Sequence, residues 1–178
     1  MGKKNSVERI MKEGSHTMKL SAAIMLAMLL GSYLYSTSTS AADAPDISKV
    51  NGRIRVLAEK RMGDISSVNG DIDLDDGVEI ERAETVNGDI RVSRDVSVHG
   101  SLSTVNGGIL LTDGSIVEGD IIVEGKRSWF GRFFSFAPKS SKITIDADSS
   151  VMGDIHLYRK VTLDIAERAV AGGVVEHF

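Results

Sequence analysis

The sequence predicts an all-β fold, a single-stranded parallel β-helix (β-solenoid) of about 18 residues per coil and five to six coils, with a right-handed winding expected. Three observations carry this expectation. Val50-Asn51-Gly52, Val68-Asn69-Gly70, Val86-Asn87-Gly88 and Val105-Asn106-Gly107 recur at intervals of 18, 18 and 19 residues, and Val123-Glu124-Gly125 reads as a degenerate fifth copy. Behind each of the four comes an aliphatic pair with period two, Ile54 and Val56, Ile72 and Leu74, Ile90 and Val92, Ile109 and Leu111, which is the periodicity of a strand. The 18 glycines against two prolines, Pro45 and Pro138, both outside the repeats, favour many turns joined by uninterrupted strands.

In chain order, residues 1–44 read as a signal peptide with an N-terminal extension and are set apart from the fold. Lys19 precedes an apolar run from Leu20 to Tyr35, and small residues follow as far as Ala44, with cleavage expected after Ala41, Ala42 or Ala44. That run is 16 residues long, short of the roughly 17 to 25 that a membrane-spanning helix needs. The expectation is export, to the periplasm or cell surface, with no transmembrane domain in the mature form. Removal of residues 1–41 takes five basic and two acidic residues from 21 and 25, which leaves a net charge of −7. An acidic surface argues against nucleic acid as a partner, since phosphate backbones demand a broad positive field. Cysteine is absent from the sequence, which excludes disulfide staples and thiolate chemistry.

Residues 45–49 form a short linker, and residues 50–169 make the solenoid. A second motif lies half a coil after the first, at Met62-Gly63-Asp64-Ile65, Val98-His99-Gly100-Ser101-Leu102, Val117-Glu118-Gly119-Asp120-Ile121 and Val151-Met152-Gly153-Asp154-Ile155, with Ile80-Glu81-Arg82-Ala83 in its place in the second coil. Two short strands per coil are expected. A lone coil cannot bury its apolar edge, so neighbours must stack about 4.8 Å apart and align Val, Ile and Leu in interior ladders. Because 18 is three times six, a left-handed hexapeptide helix is the alternative; it wants an aliphatic residue at every sixth position, and Thr104 breaks that rule. Residues 170–178 are expected to be a tail or a cap over the last coil. Phe178 resembles the terminal residue of outer-membrane barrels, but long amphipathic strands are too few for one.

Stacking places Asn51, Asn69, Asn87 and Asn106 above one another, where side-chain amides, each both donor and acceptor, would form a structural ladder. The glycines that follow are expected to supply positive φ for the turn. Arg53, Asp71, Asp89 and Gly108 come next and should share an outer corner; calcium ligation by the aspartates is the functional alternative, in a pattern sparser than known calcium repeats. The segment 126–141 interrupts the repeats and holds Trp129, Phe130, Phe133, Phe134 and Phe136 among Lys126, Arg127, Arg132 and Lys139. It is either a flank cover or a partner-binding loop, with Trp129, Phe130, Arg132, Phe133, Phe134 and Phe136 as contact residues, and shallow membrane insertion is a third option.

The sequence offers no catalytic, metal or cofactor constellation. His99, His156 and His177 lack metal-ligand spacing, the serines lie in no nucleophile elbow, and Asp71 and Asp89 are the nearest approach to the carboxylate pair of a polysaccharide-cleaving enzyme.

The Val-Asn-Gly-Asp-Ile units, the insert around Trp129-Phe130-Gly131 and the closing Val161-Thr162-Leu163-Asp164-Ile165-Ala166-Glu167-Arg168-Ala169 resemble an uncharacterised family of exported bacterial β-strand-repeat, adhesin-like proteins, over essentially the whole mature chain. The repeat Ile116-Val117-Glu118-Gly119-Asp120-Ile121 is more distantly similar to polymer-forming bactofilins, which typically lack a signal sequence. The resemblance implies a parallel β-helix with a scaffold or adhesive role and no catalytic residues. The expected function is an exported, non-catalytic structural or adhesive binding module, meeting a protein or a cell-envelope polysaccharide. A scaffold that self-associates end to end is the first alternative, and a carbohydrate-active β-helix enzyme the second.

Overall fold

The computed structural model describes residues 44–125 and 141–178. These form seventeen parallel strands and no helix. In order they are β1 (Ile47–Asn51), β2 (Ile54–Val56), β3 (Arg61–Asn69), β4 (Ile72–Leu74), β5 (Glu79–Thr85), β6 (Ile90–Val92), β7 (Ser97–Val98), β8 (Leu102–Thr104), β9 (Ile109–Leu111), β10 (Ile116–Val117), β11 (Ile121–Val123), β12 (Lys142–Ile145), β13 (Ser150–Val151), β14 (Ile155–Leu157), β15 (Thr162–Ile165), β16 (Val170–Ala171) and β17 (Val174–Glu176). Strands β2, β4, β6, β9, β12 and β15 stack into one six-stranded parallel sheet, and the remaining eleven form a second. The chain is a β-solenoid of about six turns.

Register is set by like residues. Ile54 pairs with Ile72, Ile72 with Ile90, Ile90 with Ile109 and Ile109 with Ile143, while Val56, Leu74, Val92, Leu111 and Ile145 align beside them. A slip of one residue would turn each aliphatic column outward.

Each coil has three straight segments rather than the two expected. In the second coil they present the inward pairs Ile72 and Leu74, Val78 and Ile80, then Ala83 and Thr85, all of them buried. The extra corner falls inside β3 and β5, where one strand runs through the bend, so the sequence shows a single half-coil motif there. From Met62 to Ile65 and from Ile80 to Ala83 the bend takes three steps; from Val98 to Leu102 and from Val117 to Ile121 it takes four. The longer bend separates β7 from β8 and β10 from β11, and it accounts for the 19-residue spacing after Val86.

The corner after the first segment is where the backbone turns left-handed. Glu59, Gly77, Asp95 and Asp148 have φ between 53° and 67°, and Asp113 and Gly114 share the corner in the fourth coil. Asp and Gly tolerate that region better than other residues. Residues 170–178 carry β16 and β17, which continue the ladder by pairing with β13 and β14. Their rung leaves Ile165, Val170 and Val174 exposed, because no further rung lies on it among the described residues.

Candidate functional site

The asparagines of the repeated motif form a continuous column. Asn69 Nδ2 donates to Asn51 Oδ1 at 3.0 Å, Asn87 Nδ2 to Asn69 Oδ1 at 2.8 Å, and Asn106 Nδ2 to Asn87 Oδ1 at 2.9 Å. All the amides point the same way, so each inner asparagine gives one bond and receives one.

The glycines beside them serve a purpose other than the one expected. Gly52 has a φ of 98°, whereas Gly70, Gly88 and Gly107 do not have positive φ. A Cβ on Gly70 would collide with the Gly52 carbonyl, one on Gly88 with that of Gly70, and one on Gly107 with that of Gly88. Close backbone approach between rungs, not turn conformation, excludes side chains there. Below the corner, Thr85 Oγ1 donates to Gly70 O at 3.0 Å and Thr104 Oγ1 to Gly88 O at 3.3 Å. A hydroxyl residue, Ser67, Thr85 or Thr104, precedes Val-Asn-Gly in the second to fourth copies, and of these Thr85 and Thr104 make this bond while the buried Ser67 hydroxyl does not.

The fifth copy is out of register. Val123 pairs with Thr104, and the Glu124 amide donates to Thr104 O, so Glu124 stands over Val105 and Gly125 over Asn106. The equal spacing in sequence hid the slip because the bend below had already lengthened. The amide column thus stops at Asn106, directly before the insertion.

Arg53, Asp71, Asp89 and Gly108 do share one corner. Asp71 Oδ1 accepts the Asp89 amide at 3.0 Å, and Asp89 Oδ1 accepts the Gly108 amide at 2.8 Å. Each carboxylate caps the next rung. Arg91 gathers the second oxygens, reaching Asp71 at 2.8 Å, Asp73 at 3.0 Å and Asp89 at 3.1 Å, while Arg53 contacts Asp71 and Asp73 from the other side. Desolvation pushes the Asp71 carboxyl up, but hydrogen bonds from Arg91, the Asp89 amide and Arg53 outweigh it and hold Asp71 below the usual carboxylate value. Hydrogen bonds to Asp71 and then Asp73 raise Arg91. These carboxylates are engaged in the stack, so neither calcium ligation nor acid–base pairing draws support from their geometry.

A second capping column went unrecognised in the sequence. Asp46 Oδ1 accepts the Asp64 amide at 2.7 Å, Ser101 Oγ the Asp120 amide at 3.1 Å, Asp120 Oδ1 the Asp154 amide at 2.9 Å, and Asp154 Oδ1 the Gly173 amide at 2.7 Å. Where Arg82 interrupts it, the guanidinium pairs with Asp64 at 2.9 Å. The signal was present: Gly-Asp-aliphatic occurs at both corners, and both columns end on a doubled glycine, Gly107-Gly108 and Gly172-Gly173.

The histidines fall into two places. His99 Nε2 lies 2.8 Å from Glu79 and Nδ1 lies 3.2 Å from Glu118, and those hydrogen bonds, Glu79 first, raise its pKa. His156 and His177, far apart in sequence, meet at 3.2 Å. A groove of about 280 Å³ opens where Gly108 interrupts the corner carboxylates, between Arg91, Leu110, Lys142 and Thr144. Its cations are already paired, Lys142 with Asp164 at 2.7 Å. Among the described residues no three His, Cys, Asp or Glu side chains are arranged to hold a metal ion, and no helix is long and apolar enough to cross a membrane. The contact residues expected of the insertion, Trp129, Phe130, Arg132, Phe133, Phe134 and Phe136, lie outside the described residues, as does the leader. Comparison with protein-family models, with curated proteins and with solved structures gives no match.

Proposed function

We propose that the chain is an exported, non-catalytic structural or adhesive module in which a stiff solenoid displays the insertion 126–141 to a protein or cell-envelope polysaccharide. The observation that carries this reading is the use of the corner polar groups within the stack: asparagines bond asparagines, and aspartates cap amides. Such a surface favours rigidity over chemistry. The resemblance to exported bacterial β-strand-repeat proteins and the aromatic, basic composition of the insertion support it further.

Deletion of Trp129 to Phe136 tests the reading in a co-sedimentation assay with purified cell-envelope polysaccharide and a pull-down from envelope extract. Intact folding with lost capture supports it; a soluble, folded deletion protein that binds like the wild type overturns the display role. Export is checked by the mass of the periplasmic or released form, expected to begin after Ala41, Ala42 or Ala44, and an intact N-terminus held in membranes would defeat it.

A second reading, end-to-end self-assembly, draws on the exposed Ile165, Val170 and Val174 of the rung made by β15, β16 and β17. It predicts concentration-dependent filaments in electron micrographs. A strictly monomeric sedimentation profile removes it.

A further inference from the structure

His156 lies on β14, and His177 follows β17 directly. Parallel pairing of these strands, Ile155 with Val174, His156 with Val175 and Leu157 with Glu176, brings the two residues onto adjacent rungs, and the His177 amide is tied to Leu157 O at 2.8 Å. The rings approach so that His156 Nδ1 and His177 Nε2 are 3.2 Å apart. Two further groups flank the pair. Tyr158 stacks on His177 with centroids 4.3 Å apart and planes 9° from parallel, and Asp120 Oδ2 stands 3.9 Å from His156 Nε2, the nitrogen turned away from His177.

The separation matches a metal bite. With metal–nitrogen bonds of about 2.0 to 2.1 Å, a tetrahedral angle holds two donor nitrogens about 3.3 Å apart. A ligating imidazole is commonly oriented by a carboxylate at its other nitrogen, the place Asp120 occupies for His156. We propose that His156 and His177 form a two-imidazole site for a first-row transition-metal dication, with water in the remaining positions. Binding requires both facing lone pairs, so the proton now shared between Nδ1 and Nε2 moves to the far nitrogen of whichever ring carries it; for His156 that places an N–H toward Asp120. No other bond changes. The ion then joins β14 to β17 and fastens the rung of β16 and β17 to the one below. The 21-residue separation of the histidines conceals the site from any search by ligand spacing.

Titration of the full chain with Cu²⁺ and with Zn²⁺ by calorimetry tests the site. Expected is one ion per chain, Cu²⁺ bound more tightly than Zn²⁺ as the divalent series requires, and slower amide exchange over Val174–Glu176 on binding. His156→Ala and His177→Ala should each weaken binding at least tenfold, His99→Ala should leave it unchanged, and Asp120→Asn, which keeps the oxygen that caps the Asp154 amide, should weaken it a few-fold. Copper absorption reports nitrogen ligation independently of the variants' stability. Absence of binding to the wild type, or equal binding by the wild type and by a folded His156→Ala or His177→Ala chain, overturns the proposal.

Discussion

Gly88 and Gly52 occupy equivalent places in the repeat, yet alanine should act differently at each. At Gly88 the new Cβ meets the Gly70 carbonyl, and relief requires two rungs to part, which should cost about 3 kcal/mol as an overpacking change. At Gly52 no atom lies within 4 Å of that position and only the φ of 98° is unfavourable, worth about 1 kcal/mol. Urea unfolding of the two variants gives the order; equal losses would refute close approach as the reason for Gly88. Asn87→Leu removes one bond given and one received, and should cost about 1 to 2 kcal/mol. An unchanged melting curve would argue that the amide column contributes nothing. At His99 the sign of the pH effect is fixed by its raised pKa between Glu79 and Glu118. A group whose folded value lies above its unfolded one stabilises fully below the unfolded value, about 6.5 for histidine, and loses that contribution as pH rises through the folded value. Glu79 is lowered, first by its bond to His99, so its share is present above its unfolded value and disappears as pH falls through the lowered one. Wild type should therefore exceed His99→Gln in stability near pH 6, with the difference vanishing toward pH 9; a difference independent of pH would contradict this.

Single bends and corners decide how the strands follow one another. The added residue at Gly100 changes the spacing to 19 and splits one strand into β7 and β8. The corner aspartates carry the parallel spacing past the ends of the strands by capping amides that the sheet leaves over. Their mutual repulsion is relieved by Arg91, so Arg91→Gln should destabilise the β4–β6 region by about 1 kcal/mol, since the guanidinium is partly exposed and screened. The loss should grow at low ionic strength. Salt-independent behaviour would show that Arg91 acts through packing of its stem and not through charge.

For the molecule as a whole, stability is close to a sum of neighbour-on-neighbour terms, because each rung touches only the rungs above and below. Ile90 is buried between Ile72 and Ile109, and Ile90→Ala should cost about 3 to 4 kcal/mol. Val174 lies on an uncovered rung and is 44% exposed; Val174→Ala should cost under about 0.5 kcal/mol. Amide exchange is expected to be slowest over β4, β6 and β9 and fastest over β16 and β17 in metal-free protein. Uniform protection along the axis would mean that the stack unfolds as one cooperative unit instead.

The solenoid, the aliphatic columns and the partners of Asn51, Asn69, Asn87 and Asn106 are legible in the residues alone, because a near-constant repeat spacing with period-two alternation leaves one register that turns the aliphatic pairs inward. The same spacing places Arg53, Asp71, Asp89 and Gly108 at one corner. Four features emerge only from the folded chain: each coil has three sides, Gly88 is required by a neighbouring carbonyl, Gly125 rather than Glu124 stands over Asn106, and His156 meets His177. The first two depend on how the backbone turns and how closely neighbouring rungs approach, which residue types alone do not report; the last two depend on strand register, which a bend longer by one residue shifts while the Val-x-Gly motif recurs unchanged.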